Sequence, residues 1–213
     1  MRRIAQREDI RDLILDAVEV LLGRFGYKKM TMEDVAREVG IGKGTIYLHF
    51  TGKEELILSH IDRIANRVVD RLREAAASPD PADERIRAML LARVLVRFDA
   101  VSRYSQGLGD LLSSVRTALL ARREKYFAAE AGVFAGVLTD GVRAGVFHCP
   151  DPEAAARVLV QSTNSLLPFN LSVRELGRRE DLKGQVADIA DLLIHGLSPH
   201  PKPPSNRSPR SEE

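Results

Sequence analysis

The segment from Thr31 to Leu56, TMEDVAREVGIGKGTIYLHFTGKEEL, constrains the fold more than any other part of this 213-residue chain. Thr31 stands where a helix N-cap is needed, Asp34 answers it three residues on, and Val35, Ala36 and Val39 form a short apolar stripe. Gly40 follows that stripe, where a left-handed C-cap is easiest, and Ile41 offers an apolar residue to pin a tight turn. The chain then reopens into a second helix over Lys43 to Phe50, with Ile46 and Phe50 four apart and able to face a core. Two short helices joined by a glycine turn are therefore predicted.

The outward face of the second helix carries chemistry suited to nucleic acid. Lys43 and Tyr47 share one stripe, while Thr45, Leu48 and His49 complete the outer surface and Gly44 lies within it. Lys43, Tyr47, His49 and, beyond the helix, Lys53 suit phosphates, and Thr45 suits a phosphate or a base edge. Leu48 can meet a thymine methyl or shield the duplex backbone, and Thr31 adds a phosphate bond to its capping role. A helix is narrow enough to enter the major groove, and a helix-turn-helix is a common way to present one.

The run Ala-x-x-Val-Gly, then Lys-Gly-Thr-Ile-Tyr, His-Phe and Lys-Glu-x-Leu resembles the DNA-binding segment of the tetracycline-repressor-like (TetR) family of bacterial transcriptional regulators. The amphipathic stretch Arg7 to Tyr27 is similar to that family's first helix, so the specific resemblance covers about the first quarter of the chain. The remainder matches in layout. The resemblance implies a homodimer on a palindromic operator, most commonly a repressor, with the last two helices forming a four-helix interface. One departure is Gly42, where the family often has a serine or threonine that caps the recognition helix. Glycine is an acceptable cap without a side-chain oxygen.

Composition sets the outer limits. A hydrophobic content of 44% suffices for a buried core, and a net charge of +2 is too small to imply nucleic acid by itself. Arg2, Arg3 and Arg7 read as an arm ahead of the first helix, either solvated or reaching an adjacent phosphate or the minor groove. The single cysteine, Cys149, excludes an internal disulfide framework and fits a reducing compartment. No apolar run approaches the ~20 residues that span a bilayer, and no secretory core follows the N-terminus, so a cytoplasmic protein without membrane partners is expected.

The fold class expected is all-α: an N-terminal three-helix helix-turn-helix domain over 1–52, a helical effector-binding and dimerisation domain over 53–197, and a disordered tail over 198–213. Ile10, Leu13, Ile14, Ala17, Val18, Leu21, Leu22 and Phe25 read as one continuous apolar face of the first helix, ended by Gly26. Thr51 and Glu54 read as a second capping box, opening a long helix through Leu56, Ile57, Ile61, Ile64, Val68 and Leu72. That helix leaves the reading head and is the natural mechanical link. Asp80-Pro81 and Asp151-Pro152 place a capping acid before a proline at the first helical position. Between them one helix is predicted over Ile86 to Val101, and further helices over Leu108 to Val115 and Leu119 to Val142, either separate or partly continuous.

Leu182, Val186, Ile189, Leu193 and Leu197 have the seam spacing of packed helices, serving either the subunit core or a dimer interface. The dimer is favoured because one short helix reads only a few base pairs, whereas a two-fold pair reads two half-sites. Phe98, Tyr104, Tyr126, Phe127 and Phe134 are candidates to line a chamber for a largely apolar small-molecule effector, or are ordinary core. Asn164 and Phe169 join them from the stretch 161–170, where Pro168 cannot donate to the Asn164 carbonyl, so either the helix kinks there or that carbonyl finds another partner, a ligand among them. No catalytic constellation, phosphate-cradling loop or metal-ligand spacing is present, so no enzyme, cofactor or metal is expected. The competing expectation is a helical small-molecule binder or scaffold that has lost DNA affinity, for which Gly42 is the best support.

Overall fold

A computed structural model describes residues 2–104, 107–168 and 177–199, with side chains from residue 9 onward. Eight α-helices follow one another among the described residues: α1 (Arg2–Lys29), α2 (Met32–Val39), α3 (Lys43–Tyr47), α4 (Lys53–Ala76), α5 (Ala82–Ser102), α6 (Leu108–Arg143), α7 (Pro152–Ser162) and α8 (Arg179–Leu197). A 3₁₀ turn, Asn164–Leu166, follows α7, and the described residues contain no strand. Phe169 and the tail from 200 to 213 lie outside the described residues.

Two apolar cores organise these helices. The first gathers α1, α2, Ile46 and Phe50 around Leu56, Ile57 and Ile61 of α4, and extends to Val101, Tyr104, Leu108, Leu111, Val115 and Leu119. The head is thus seated on the bend between α5 and α6 as well as on α4. The second core gathers α5, the later half of α6, α7 and α8 around Val68 and Leu72 of α4. α4 therefore contributes its first turns to one core and its last turns to the other, which makes it a shared strut.

Local chemistry explains most boundaries, and several differ from the sequence expectations. α1 already begins at Arg2, so Arg2, Arg3 and Arg7 stand on helical turns rather than on an arm before them. Its buried face is Ile14, Leu15, Ala17, Val18, Leu21 and Leu22; Leu13, on the far flank, and Phe25, in the last turn, are exposed. Gly26 leaves the helix at φ 70°, ψ 170°, and there the backbone passes so close to Gly107 that a Cβ on Gly107 would stand 3.3 Å from the Gly26 Cα. This close approach fastens the end of α1 to the start of α6, beside an ion pair of 2.8 Å between Lys28 and Asp110.

Capping follows expectation at Asp151, which accepts from the Ala154 amide at 2.9 Å with Pro152 at the first helical position. It does not at Asp80: Pro81 is itself the N-cap of α5, without a side-chain cap bond, and Asp80 accepts from Ser78 instead. Nor does Thr51 pair with Glu54; its amide and hydroxyl both donate to Glu55, and Gly52 is the N-cap of α4. The two helices expected between Leu108 and Val142 are one, α6. After α7 the chain abandons the α-helix at Thr163, and the Asn164 carbonyl finds its donor in the Leu167 amide at 3.2 Å, ahead of Pro168.

Candidate functional site

The first two helices after α1 are built as the residues dictate. Thr31 Oγ1 accepts from the Asp34 amide at 3.1 Å, while the Thr31 amide and hydroxyl donate to Asp34 Oδ2 at 3.0 and 2.7 Å, a complete capping box. These bonds hold the Asp34 carboxyl below its ordinary pKa, the Thr31 side-chain bond being the larger cause. Gly40 closes α2 in the left-handed region at φ 78°, with its amide bonded to the Ala36 and Arg37 carbonyls. Gly42 is the N-cap of α3 and makes no side-chain cap bond.

α3 is anchored on one side and open on the other. Ile46 and Phe50 are fully buried, and Arg11 lies 4.4 Å over the Phe50 ring while donating to the His49 carbonyl at 3.2 Å. Outward stand Lys43, Gly44, Tyr47 and Leu48, with Leu48 71% exposed; Thr45 and His49 are half-buried beside them. Lys43 makes a loose ion pair, 3.8 Å, with Glu33 of α2 and its side chain is 57% exposed, leaving it available to another anion. Tyr47 is exposed and does not pack into the core around α1. Two members of the set are less free than their residue types suggest. The Thr31 hydroxyl is engaged as both donor and acceptor within the capping box. Lys53 lies 4.2 Å over the Tyr27 ring and donates to the Lys28 carbonyl at 3.4 Å, and partial burial lowers its pKa. Both sit at the edge of the surface and serve its architecture.

The expected aromatic chamber is divided. Phe134 is wholly inside the second core, and Tyr104 is buried in the first, its hydroxyl 3.2 Å from His60 Nε2. Phe98 packs between the two cores. Tyr126 and Phe127 do line a cavity of about 90 Å³ between α4, α5 and α6, closed by Leu167 and bounded by Ile61, Ile64, Ala65, Leu112 and Leu119. The Tyr126 hydroxyl donates to Asp62 of α4, which Arg122 also reaches at 2.5 Å. That bond and burial push the Tyr126 phenol well above its ordinary pKa, burial first.

Behind the cavity lies a buried ionic cluster absent from the sequence expectations. Arg93 donates through Nε to Glu130 at 2.6 Å, through Nη1 to Thr163 Oγ1 at 2.6 Å and through Nη2 to Asn164 Oδ1 at 2.7 Å. Arg97 donates to the other Glu130 oxygen and, at 2.8 Å, to the Arg93 carbonyl. All three charged side chains are buried, Arg97 being 2% exposed, and Arg97 also lines the cavity. Desolvation lowers the Arg93 pKa to about 10, with Glu130 opposing and Arg97 reinforcing the shift. Asn164 is thus occupied by Arg93 rather than presented to the cavity. A signal was present: Ile86, Leu90, Arg93, Arg97 and Val101 follow one helical stripe, and Glu130 falls between Phe127 and Phe134 on another.

The α8 seam also divides. Leu182 and Val186 are buried within the subunit's own second core, because α8 lies against α5; Ile189, Leu193 and Leu197 are half-buried. The apolar side chain that α8 leaves outside is Leu192, 73% exposed, and α7 leaves Val158. No described helix is long and apolar enough to cross a membrane.

A small helical head that displays a cationic, hydroxyl-bearing helix, joined through α4 to a larger helical body, is the architecture of a helix-turn-helix regulator. Residues 14–59 match the family described as bacterial regulatory proteins, tetR family, and residues 82–181 match the tetracyclin repressor-like C-terminal domain. The chain belongs to the TetR family of helix-turn-helix transcriptional regulators. The fatty acid metabolism regulator protein of Bacillus subtilis (strain 168) is 25% identical over 188 residues, which cover 86% of this chain and 93% of the relative. The structure of a TetR-family transcriptional regulator from Pectobacterium atrosepticum matches with a TM-score of 0.72 at 21% identity, over 93% of this chain and 98% of that one. FadR from Bacillus subtilis in complex with stearoyl-CoA matches with a TM-score of 0.61 at 18% identity, over 87% and 98%. At such identities the structural likeness speaks for the fold.

Proposed function

We propose that this regulator works in the cytoplasm as a homodimeric repressor, holding two α3 helices on a palindromic operator and leaving it when a largely apolar small molecule occupies the body. The observation that carries the reading is α3 itself: Ile46 and Phe50 anchor it while Lys43, Tyr47 and Leu48 face outward. Lys43 and Tyr47 meet phosphates, Thr45 and Leu48 approach base edges, and His49 bonds a phosphate from the helix end. Lys53 and Thr31 flank the surface, and Gly44 lets the backbone approach. Two such heads reach successive major grooves about 34 Å apart, or a multiple of that.

The dimer interface is assigned to the outer side of the last two helices, through Leu192 with Ile189, Leu193 and Leu197 of α8 and Val158 of α7. The head is taken as 1–52 and the body as 53–197. α4 supports a route between them, because Ile61, Ile64 and Ala65 line the cavity while Leu56 and Ile57 lie in the head core. A ligand that parts α4 from α6 strains the bond between Tyr126 and Asp62 and changes the spacing of the two heads. Release then follows from the difference in ligand affinity between the two arrangements.

The scaffold alternative rests on the missing side-chain cap at Gly42. A mobility-shift titration against the DNA upstream of the protein's own gene decides between the two. Retarded complex that weakens steeply between 50 and 200 mM salt supports the regulator mechanism. No retardation at low salt overturns it.

A further inference from the structure

We propose that the small molecule taken up by the body is an amphipathic anion: an apolar chain or ring held between α4 and α6, with one acidic group on the guanidinium of Arg97. The proposal rests on the cavity being the effector site. Two observations carry it. First, two buried guanidinium cations, Arg93 and Arg97, face one buried carboxylate, Glu130, so among the described residues the cluster holds one positive charge without a balancing anion. An uncompensated charge in a dry interior is costly, and an incoming anion removes that cost. Second, the cavity is apolar in its walls yet every charged side chain on it is an arginine: Arg97, Arg116 and Arg123. Arginine matches the planar, two-oxygen face of a carboxylate or phosphate.

The site can also lengthen. A groove of about 500 Å³ between α6 and α7 shares Leu120, Arg123 and Phe127 with the cavity and adds Ala128, Ala131 and Val160 to its apolar wall, with Glu124 and Arg157 as its further charged groups. The Phe127 ring lines both spaces, with the guanidinium groups of Arg93 and Arg123 at 5.1 and 5.6 Å from its centre. Rotating that ring joins the two spaces into one of the size that organic ligands occupy. A chain of several carbons then lies in the cavity and groove while its acid stays at Arg97.

The acid can be a free carboxylate or the phosphates of an acyl thioester, and calorimetric titration of the full-length protein separates them. Decanoate, 1-decanol and decanoyl-coenzyme A are the probes. Decanoate binding one site per subunit about ten- to a hundredfold more tightly than decanol supports the proposal with a carboxylate as the acid. The same margin for decanoyl-coenzyme A alone supports it with phosphate as the acid. Arg97→Met leaves Arg93 and Glu130 as a neutral pair, so it should melt no lower than wild type without ligand and lose the margin. Arg97→Lys keeps the charge and should retain most of it. Equal affinity for decanoate, its thioester and decanol, or an unchanged margin in Arg97→Met, overturns the proposal. The underlying site assignment fails separately: Ala65→Phe fills the cavity, and unchanged binding of all three probes in that variant shows that they bind elsewhere.

Discussion

The head and the body both collect cations, and they treat them oppositely. Lys43 stands on the surface with a distant acidic neighbour, whereas Arg97 sits in the interior against Glu130. A solvated cation costs the fold almost nothing, attracts any phosphate and is weakened by salt. A buried cation burdens the fold, is little screened and discriminates sharply between a partner that neutralises it and one that does not. The surface arrangement suits a polyanion that must be found quickly and released. The interior arrangement suits a small molecule that must be told apart from others.

The contrast is most easily broken at Glu130. Glu130→Ala leaves two buried guanidinium groups facing each other and should destabilise the protein by about 3–5 kcal/mol in chemical denaturation. A loss below 1 kcal/mol would mean that the cluster is hydrated and the contrast false. On the head, Thr31→Ala removes the hydroxyl of the capping box and should cost about 1 kcal/mol by the same measurement, with α2 fraying first in hydrogen exchange.

Two sharper tests leave the fold standing. Lys43→Ala should leave the melting temperature unchanged, weaken binding across DNA sequences and lower the slope of log affinity against log salt by about 1. Thr45→Ala should instead change sequence preference more than slope. The smallest effect is a pH dependence. His60 is held neutral, its pKa lowered to about 3 by desolvation first and then by Arg63 and Arg67. An unfolded histidine takes up a proton near 6.5, so the unfolded state binds more protons as pH falls. Stability from this source is complete above pH 6.5 and declines progressively toward pH 3. His60→Gln should flatten that part of the profile, and an unchanged slope would show the ring to be hydrated.

The head was the more legible region because its signals are local. A capping box spans Thr31 to Asp34, Gly40 needs only its own φ, and the split between Ile46 and Leu48 follows from 3.6 residues per turn. Where local signals failed, a competing partner lay nearby in the chain. Thr51 chose Glu55 over Glu54, and Ser78 took up Asp80 before it could cap α5. The body was less legible because its decisive contacts join distant residues: Arg93 to Glu130, Thr163 and Asn164, and Tyr126 to Asp62. Stripe spacing announced that Leu182 and Val186 would be buried, yet spacing is silent on which partner buries them. α5 of the same subunit does so.

The order of residues alone determined an all-helical chain, the α2–α3 turn and the chemistry of its exposed face, because caps, glycines and helical periodicity act within a few residues. Only the tertiary structure decided which aromatic side chains bound a cavity, that Lys53 is drawn onto Tyr27, and that two arginines and a glutamate meet in the interior. The reason is that charge burial and cavity walls depend on which helices lie side by side, and that is settled by packing across the whole chain.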